Sequence, residues 1–343
     1  MTPTRFYYHP ETFVFEAGGI FPWFQIAYKC WGKLNEKRDN VIWVCHAFTA
    51  NADAHEWWPG MIGPGLLMDT DKYFVICANI LGSCYGTTGP LDENPETGKP
   101  WFRDFPMVTV RDLVNAHELL REHLGIKSVF IVIGGSIGAF QCLEWAIMCP
   151  DKIRNLAIIA GNASASPWNI ALNEVQRMAI TADATFSKDK PDGGHQGLKT
   201  ARAIALISYR TSDVLNAIQK ESDLNKIGDF KAASYLQHQG NKFIKRFNSY
   251  SYMIMTQLFD SHNVGRGRVS IEKALKSITA KTIVIAMDSD KLFPPEEQQF
   301  LADRIPGAQY AEIPTSYGHD GFLIEVEPIT NCVREFLSLS GSV

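Results

Sequence analysis

VFIVIGGSIG, residues Val129 to Gly138, is an uninterrupted apolar run that ends on two glycines, a serine and a further glycine. Apolar residues without polar alternation predict a strand over Val129–Ile133 that is buried on both faces, as in a parallel sheet covered by helices. The next segment, Ile137–Cys149, is nearly all apolar and stops before Pro150, as a helix packed on that sheet would. Working outward, the same kind of run recurs at Val41–Cys45, Tyr73–Ala78, Leu156–Ala160 and Thr282–Met287, with an amphipathic helix predicted over Thr109–Leu124. Strands alternating with helices describe a doubly wound α/β domain with a mostly parallel sheet. Two further strands, Thr12–Phe15 and Phe24–Cys30, flank Gly18-Gly19 and predict an antiparallel start. Between Gly161 and Lys281 helical periodicity replaces strands, around a polar, glycine-rich loop at Asp183–Gly197. The expected organisation is an α/β core over 1–166 and 269–343, with a helical insertion, 167–268, as a lid over the sheet's C-terminal edge.

Bulk composition narrows the function. The 343 residues are 45% hydrophobic and 20% charged, with 33 basic against 37 acidic residues and a net charge of −4. That is ordinary globular composition with no basic field, so neither nucleic acid nor an anionic membrane is an expected partner. The seven cysteines include no C-x-x-C pair and no zinc-like Cys/His spacing, so no metal site and no disulfide framework is expected. With no secretion signal and no long apolar span, the expected location is the cytoplasm.

GGSIG between a strand and a helix places Ser136 on a sharp turn, the nucleophile elbow of the α/β-hydrolase fold. A serine hydroxyl needs a base, and the base an orienting acid, in the chain order Ser, Asp/Glu, His. Of the histidines after Ser136, His195, His238 and His262 fall in the helical region, whereas His319 follows the last strand in the flexible loop YGHDGF. The acid is Asp288 or Asp290, both at the end of TIVIAM, and spacing alone does not choose between them. An oxyanion hole would use the Ile137 amide and, from the loop after VIWVC, the Phe48 amide, with His46 bracing that loop.

Several stretches together resemble the homoserine O-acetyltransferases of the α/β-hydrolase type: CHAFTA (45–50), WWPGMIGPG (57–65), NILGSCYGTTGP (79–90), GGSIGAFQCLEWA (134–146), WNIALNEVQRMAI (168–180), SYLQHQGNKFIKRF (234–247), SDKLFPP (289–295) and YGHDGFLIE (317–325). They occur in the family's order and cover nearly the whole chain. The resemblance implies Asp290 as the acid of a Ser136–Asp290–His319 triad. It also implies Arg202, Tyr209 and Asp320 as the residues that hold an amino-acid substrate. Arg202 and Tyr209 stand about two helical turns apart and so share a face. A guanidinium can grip the substrate carboxylate through two bonds, and Asp320 can pair with its α-ammonium. Acetyl-CoA as co-substrate, L-homoserine as acceptor, no cofactor, a role in methionine biosynthesis and a homodimer through the lid helices are further implications. Where the family usually has Leu-Thr-Gly, this chain has Phe48-Thr49-Ala50. Succinyl-CoA as donor, serine as acceptor, plain ester or thioester hydrolysis, and a catalytically dead binding homologue are the competing readings.

Overall fold

In a computed structural model, which describes residues 2–339, the apolar runs assemble into one eight-stranded sheet. Met1 and residues 340–343, the outer ends of the expected core, lie outside the described residues. The strands are β1 (Arg5–His9), β2 (Phe24–Trp31), β3 (Val41–Cys45), β4 (Phe74–Ala78), β5 (Val129–Gly135), β6 (Ile153–Ile159), β7 (Lys281–Met287) and β8 (Gln309–Ile313). Their order across the sheet is β1-β2-β4-β3-β5-β6-β7-β8. The β1–β2 and β2–β4 pairs are antiparallel and all others parallel. β3, β4 and β5 are buried at every position, which is why their sequences carry no polar alternation.

Two of these strands were not expected, and both lie at the sheet's edges. β1 alternates exposed Phe6 and Tyr8 with buried Tyr7 and His9, while β8 buries only Ile313. Edge strands need little apolar surface, so their sequences are weakly patterned. The antiparallel start also differs from expectation. Phe13–Val14 pairs with Ile20–Phe21 in a separate two-stranded ribbon, turning through Gly18 and Gly19 at positive φ, and β1 takes the place beside β2.

Helices cover both faces. α1 (Val110–His123) starts in a capping box between Thr109 and Asp112, and α2 (Ile137–Met148) is buried from Ile137 through Ala146. Between β6 and β7 the chain runs through α3 (Pro167–Thr181), α4 (His195–Tyr209), α5 (Ser212–Ile218), α6 (Lys231–Phe243) and α7 (Ser249–Asp260). The loop expected over Asp183–Gly197 is shorter than predicted, because α4 begins at His195, just after Gly194 at φ 77°. The chain closes with α8 (Pro295–Arg304) and α9 (Val326–Leu339).

One apolar cluster, with Trp43 edge-on to Trp145 at 4.8 Å, fills the α1–α2 face; a second, with Trp58, Met61 and Phe336, fills the α9 face. The helical region is stitched to the core. His262 stacks on Phe140 at 3.8 Å, Arg268 bonds Glu144 at 2.7 Å, and Arg111 and Arg266 converge on Glu16. Among the described residues, no helix is long and apolar enough to cross a membrane.

Candidate active site

β5 delivers Ser136 onto the first turn of α2 with φ 59° and ψ −125°, a conformation that L-residues rarely adopt. The turn is possible because its neighbours lack side chains. A Cβ at Gly138 would lie 2.2 Å from the Cys45 carbonyl oxygen, and one at Gly134 would lie 2.7 Å from the Gly138 backbone. The serine is buried, with 5% of its surface exposed.

His319 arrives from the loop after β8. Its Nδ1 bonds Asp290 Oδ2 at 2.7 Å, and the carboxylate's other oxygen accepts the Leu292 and Phe293 amides at 2.8 and 3.0 Å. Asp290 is wholly buried, so every lone pair used there must be matched by a donor. The exposed Asp288 does something else. Its Oδ1 accepts the Thr315 amide at 2.9 Å, while Ser289 Oγ donates to the Thr315 carbonyl at 2.5 Å and accepts the Gly318 amide at 3.1 Å. Asp288 and Ser289 thus fix the loop's backbone, and Asp290 fixes the imidazole. With Nδ1 donating to the carboxylate, Nε2 is left as the ring's base position.

The Ile137 amide opens α2, where helical N–H groups lack internal partners, and neither it nor the Phe48 amide donates to an acceptor among the described residues. Phe48 lies in a turn closed by Ala50 N to Ala47 O at 3.0 Å. His46 braces this turn: Nδ1 donates to the Ala47 carbonyl at 2.9 Å while Nε2 accepts the Ile80 amide at 3.2 Å. Burial pushes His46 down to about 4, so the ring stays neutral and keeps both bonds at neutral pH.

Ser136, His319, Phe48, Arg202, Tyr209 and Asp320 all line one cavity of about 410 Å³. Ile137, next to Ser136 in the chain, has a buried side chain and does not itself line that cavity. The Arg202 guanidinium lies 5.1 Å from the Phe243 ring centre and, among the described residues, forms no ion pair. Burial pushes the Tyr209 hydroxyl up to about 12, so it remains a protonated donor; its ring lies 5.6 Å from that of His319. Asp320 is not free, since its Oδ2 accepts Arg210 Nε at 2.8 Å. An opposed cation and anion beside a nucleophile suit a small zwitterionic ligand.

Comparisons with known proteins identify the fold and the family. A family profile for the alpha/beta hydrolase fold matches residues 40–326. A homoserine O-acetyltransferase of Cyclobacterium marinum is 47% identical over 330 residues, spanning 96% of this chain and 94% of that protein. The chain belongs to the homoserine O-acetyltransferase family. The homoserine O-acetyltransferase of Bacillus anthracis, 24% identical, superposes with a TM-score of 0.91 over 98% of each chain, which shows a common fold. Esterase E22 superposes equally well, with a TM-score of 0.91 at 26% identity over 98% of this chain and 100% of that one.

Two cavity residues of this family member, Arg246 and Tyr85, escaped the sequence reading, and so did Arg210, which stands behind Asp320. Arg246 donates to the Thr49 carbonyl at 2.7 Å and to the Tyr85 hydroxyl, and it lies 5.0 Å from the Phe243 ring centre. Arg210 holds Asp320. Arg246 and Tyr85 lie inside stretches that carry the family resemblance, but a lone Arg or Tyr on a helix or loop has no local signal that aims it at a cavity. Arg210 directly follows Tyr209, and only the fold brings it to Asp320.

Proposed function

We propose that this chain transfers an acetyl group from acetyl-CoA to the hydroxyl of L-homoserine through an acyl-serine intermediate. The reading rests on one observation above all: an elbow serine, an Asp290-held histidine and an unpaired arginine line a single small cavity.

In the first half-reaction His319 Nε2 takes the Ser136 proton as Oγ attacks the thioester carbon. The Ile137 and Phe48 amides hold the oxyanion, the C–S bond breaks, and the imidazolium protonates the departing CoA thiolate. In the second, His319 takes the proton of the homoserine hydroxyl as that oxygen attacks the acetyl carbon. Collapse breaks the bond to Oγ, which recovers the proton, and O-acetyl-L-homoserine leaves. Arg202 would hold the acceptor's carboxylate, Asp320 its ammonium, and the protonated Tyr209 hydroxyl would add a donor. Transfer outruns hydrolysis when the acceptor is positioned at high effective concentration and water is limited, a role assigned here to residues 167–268 as a lid. No metal or prosthetic group takes part in this scheme. The product would feed methionine synthesis in the cytoplasm. Trp168, Met178 and Ile207, exposed on α3 and α4, would pair two copies through the lid.

A second reading is ester hydrolysis, favoured by the close superposition on esterase E22. Acetyl-CoA and succinyl-CoA assayed against homoserine, serine and water, following thiol release, separate the two. The transferase reading expects release from acetyl-CoA to rise steeply with homoserine. Release independent of any amino acid would leave the esterase.

A further inference from the structure

Asp320 and Arg202 line the same cavity with opposite charges, yet they do not pair with each other. Two unrestrained charges in a small cavity would attract and close the site on itself. Asp320 is held instead by Arg210, the residue that caps the C-terminus of α4. Its Nε donates to Asp320 Oδ2 at 2.8 Å, its terminal nitrogen donates to the Tyr235 hydroxyl at 2.7 Å, and its guanidinium carbon lies 5.7 Å from the Tyr235 ring centre. Tyr235 belongs to α6 and Asp320 to the loop that carries His319, so one side chain joins three elements. The contact is half-buried, with side-chain exposures of 25% for Arg210 and 16% for Asp320. The same junction is locked twice more. Thr211 Oγ1 donates to the Ser316 carbonyl at 2.5 Å, and a Cβ at Gly318 would lie 2.9 Å from the Tyr209 carbonyl oxygen.

We infer that Arg210 is a positioning residue for the acceptor: it holds Asp320 away from Arg202 through one carboxylate oxygen and leaves the other for the substrate's α-ammonium. A planar guanidinium can bridge Asp320 and Tyr235 at once, which an ammonium cannot do with fixed geometry. Without the bridge, Asp320 is free to collapse onto Arg202 and occupy the group that should take the substrate carboxylate. Preorganisation of this kind raises affinity by avoiding reorganisation at the moment of binding. The inference rests on the reading of Asp320 as the ammonium site.

The test compares L-homoserine with 4-hydroxybutanoate, which keeps the hydroxyl and the carboxylate but lacks the ammonium. Asp320→Asn should erase most of the kcat/KM preference for homoserine. Arg210→Gln should lower that preference about tenfold, acting mainly on homoserine KM, and leave the rate of the first CoA release near wild type. Arg210→Lys should recover part of the loss. The double variant should be no worse than Asp320→Asn alone, as expected if Arg210 acts through Asp320. Tyr235→Phe, which leaves Asp320 and Arg210 in place, should give a smaller change in the same direction and covers the case in which Arg210→Gln does not fold. If Asp320→Asn loses the preference while Arg210→Gln and Tyr235→Phe retain it, the positioning role is wrong and the site assignment stands. If Asp320→Asn retains the preference, the ammonium site itself is wrong and the inference falls with it. A parallel fall of CoA release and homoserine use in Arg210→Gln, tracking its melting temperature, would reduce Arg210 to a structural brace.

Discussion

The β5–α2 unit and α4, which packs against α6, meet at one cavity but are built on different principles. The first is buried at every strand position and through most of its helix, and its backbone geometry is set by glycines whose Cβ atoms would strike neighbouring main chain. The second buries only one face, with Gly197, Leu198, Ala201, Ala205 and Leu206 covered on α4. α6 has only Gly240 and Phe243 fully covered, with Gly240 letting the helix approach the Lys199 backbone on α4. Ser136, the proposed nucleophile, sits on the unit packed on every side; Arg202 and Tyr209, the proposed acceptor ligands, sit on α4, which buries only one face. Close-packed interiors transmit strain and tolerate little change, whereas polar surface contacts can be exchanged at small cost.

The contrast breaks most visibly at Ser136. Ser136→Ala should lower turnover by about 10⁴–10⁶-fold and abolish labelling by an organophosphonate, since triad members act as one unit. Substantial acetyl transfer by the purified variant would move the chemistry off the elbow altogether. Asp290→Asn comes next, with turnover expected to fall about 10⁴-fold because an amide holds the wrong tautomer and stabilises no imidazolium. Asp288→Asn keeps an amide oxygen that can accept the Thr315 N–H and should stay within about tenfold. Steady-state assays of the two variants side by side decide whether the buried or the exposed carboxylate matters.

On the recognition side the effect should be smaller and confined to one half-reaction. Arg202→Ala should lose about 10- to 100-fold in kcat/KM for homoserine yet keep the first burst of CoA release, measured by stopped flow. A lost burst with unchanged homoserine KM would place Arg202 in the thioester site. A separate test reads stability against pH. Burial depresses His46 to about 4 and both His117 and His262 to about 3, all below the ordinary value of 6.5. Below pH 6.5 the unfolded chain therefore takes up protons that the folded chain refuses. The stability held above pH 6.5 should decline as pH falls toward 4 and on to 3. Urea midpoints read this directly, and a flat midpoint across that window would mean the rings ionise without unfolding the core.

How much of this could be read from residues alone follows the same division. VFIVIGGSIG declared both a strand and a nucleophile because burial on two faces and the elbow's steric demands leave few residue choices. The edge strands Arg5–His9 and Gln309–Ile313 left no such imprint, since one face or one edge meets water. At the site, Ser136 and His319 stood out by position in the α/β alternation. The choice of Asp290 over Asp288 needed the family resemblance, and its physical basis is which carboxylate turns inward. Arg210, Arg246 and Tyr85 depend on contacts between residues far apart in the chain, a relation that local pattern does not encode.

The backbone angle at Ser136 has a consequence beyond catalysis. A non-glycine residue held at φ 59° and ψ −125° stores about 1–3 kcal/mol, and the surrounding fold must supply it. Ser136→Gly would release that strain against about 0.5–1 kcal/mol of added chain entropy in the unfolded state. The inert variant should therefore match or exceed the active one in thermal unfolding. Natural or laboratory selection for durability alone would then drift toward a sturdier, silent protein, and only selection for turnover keeps a serine at the bend.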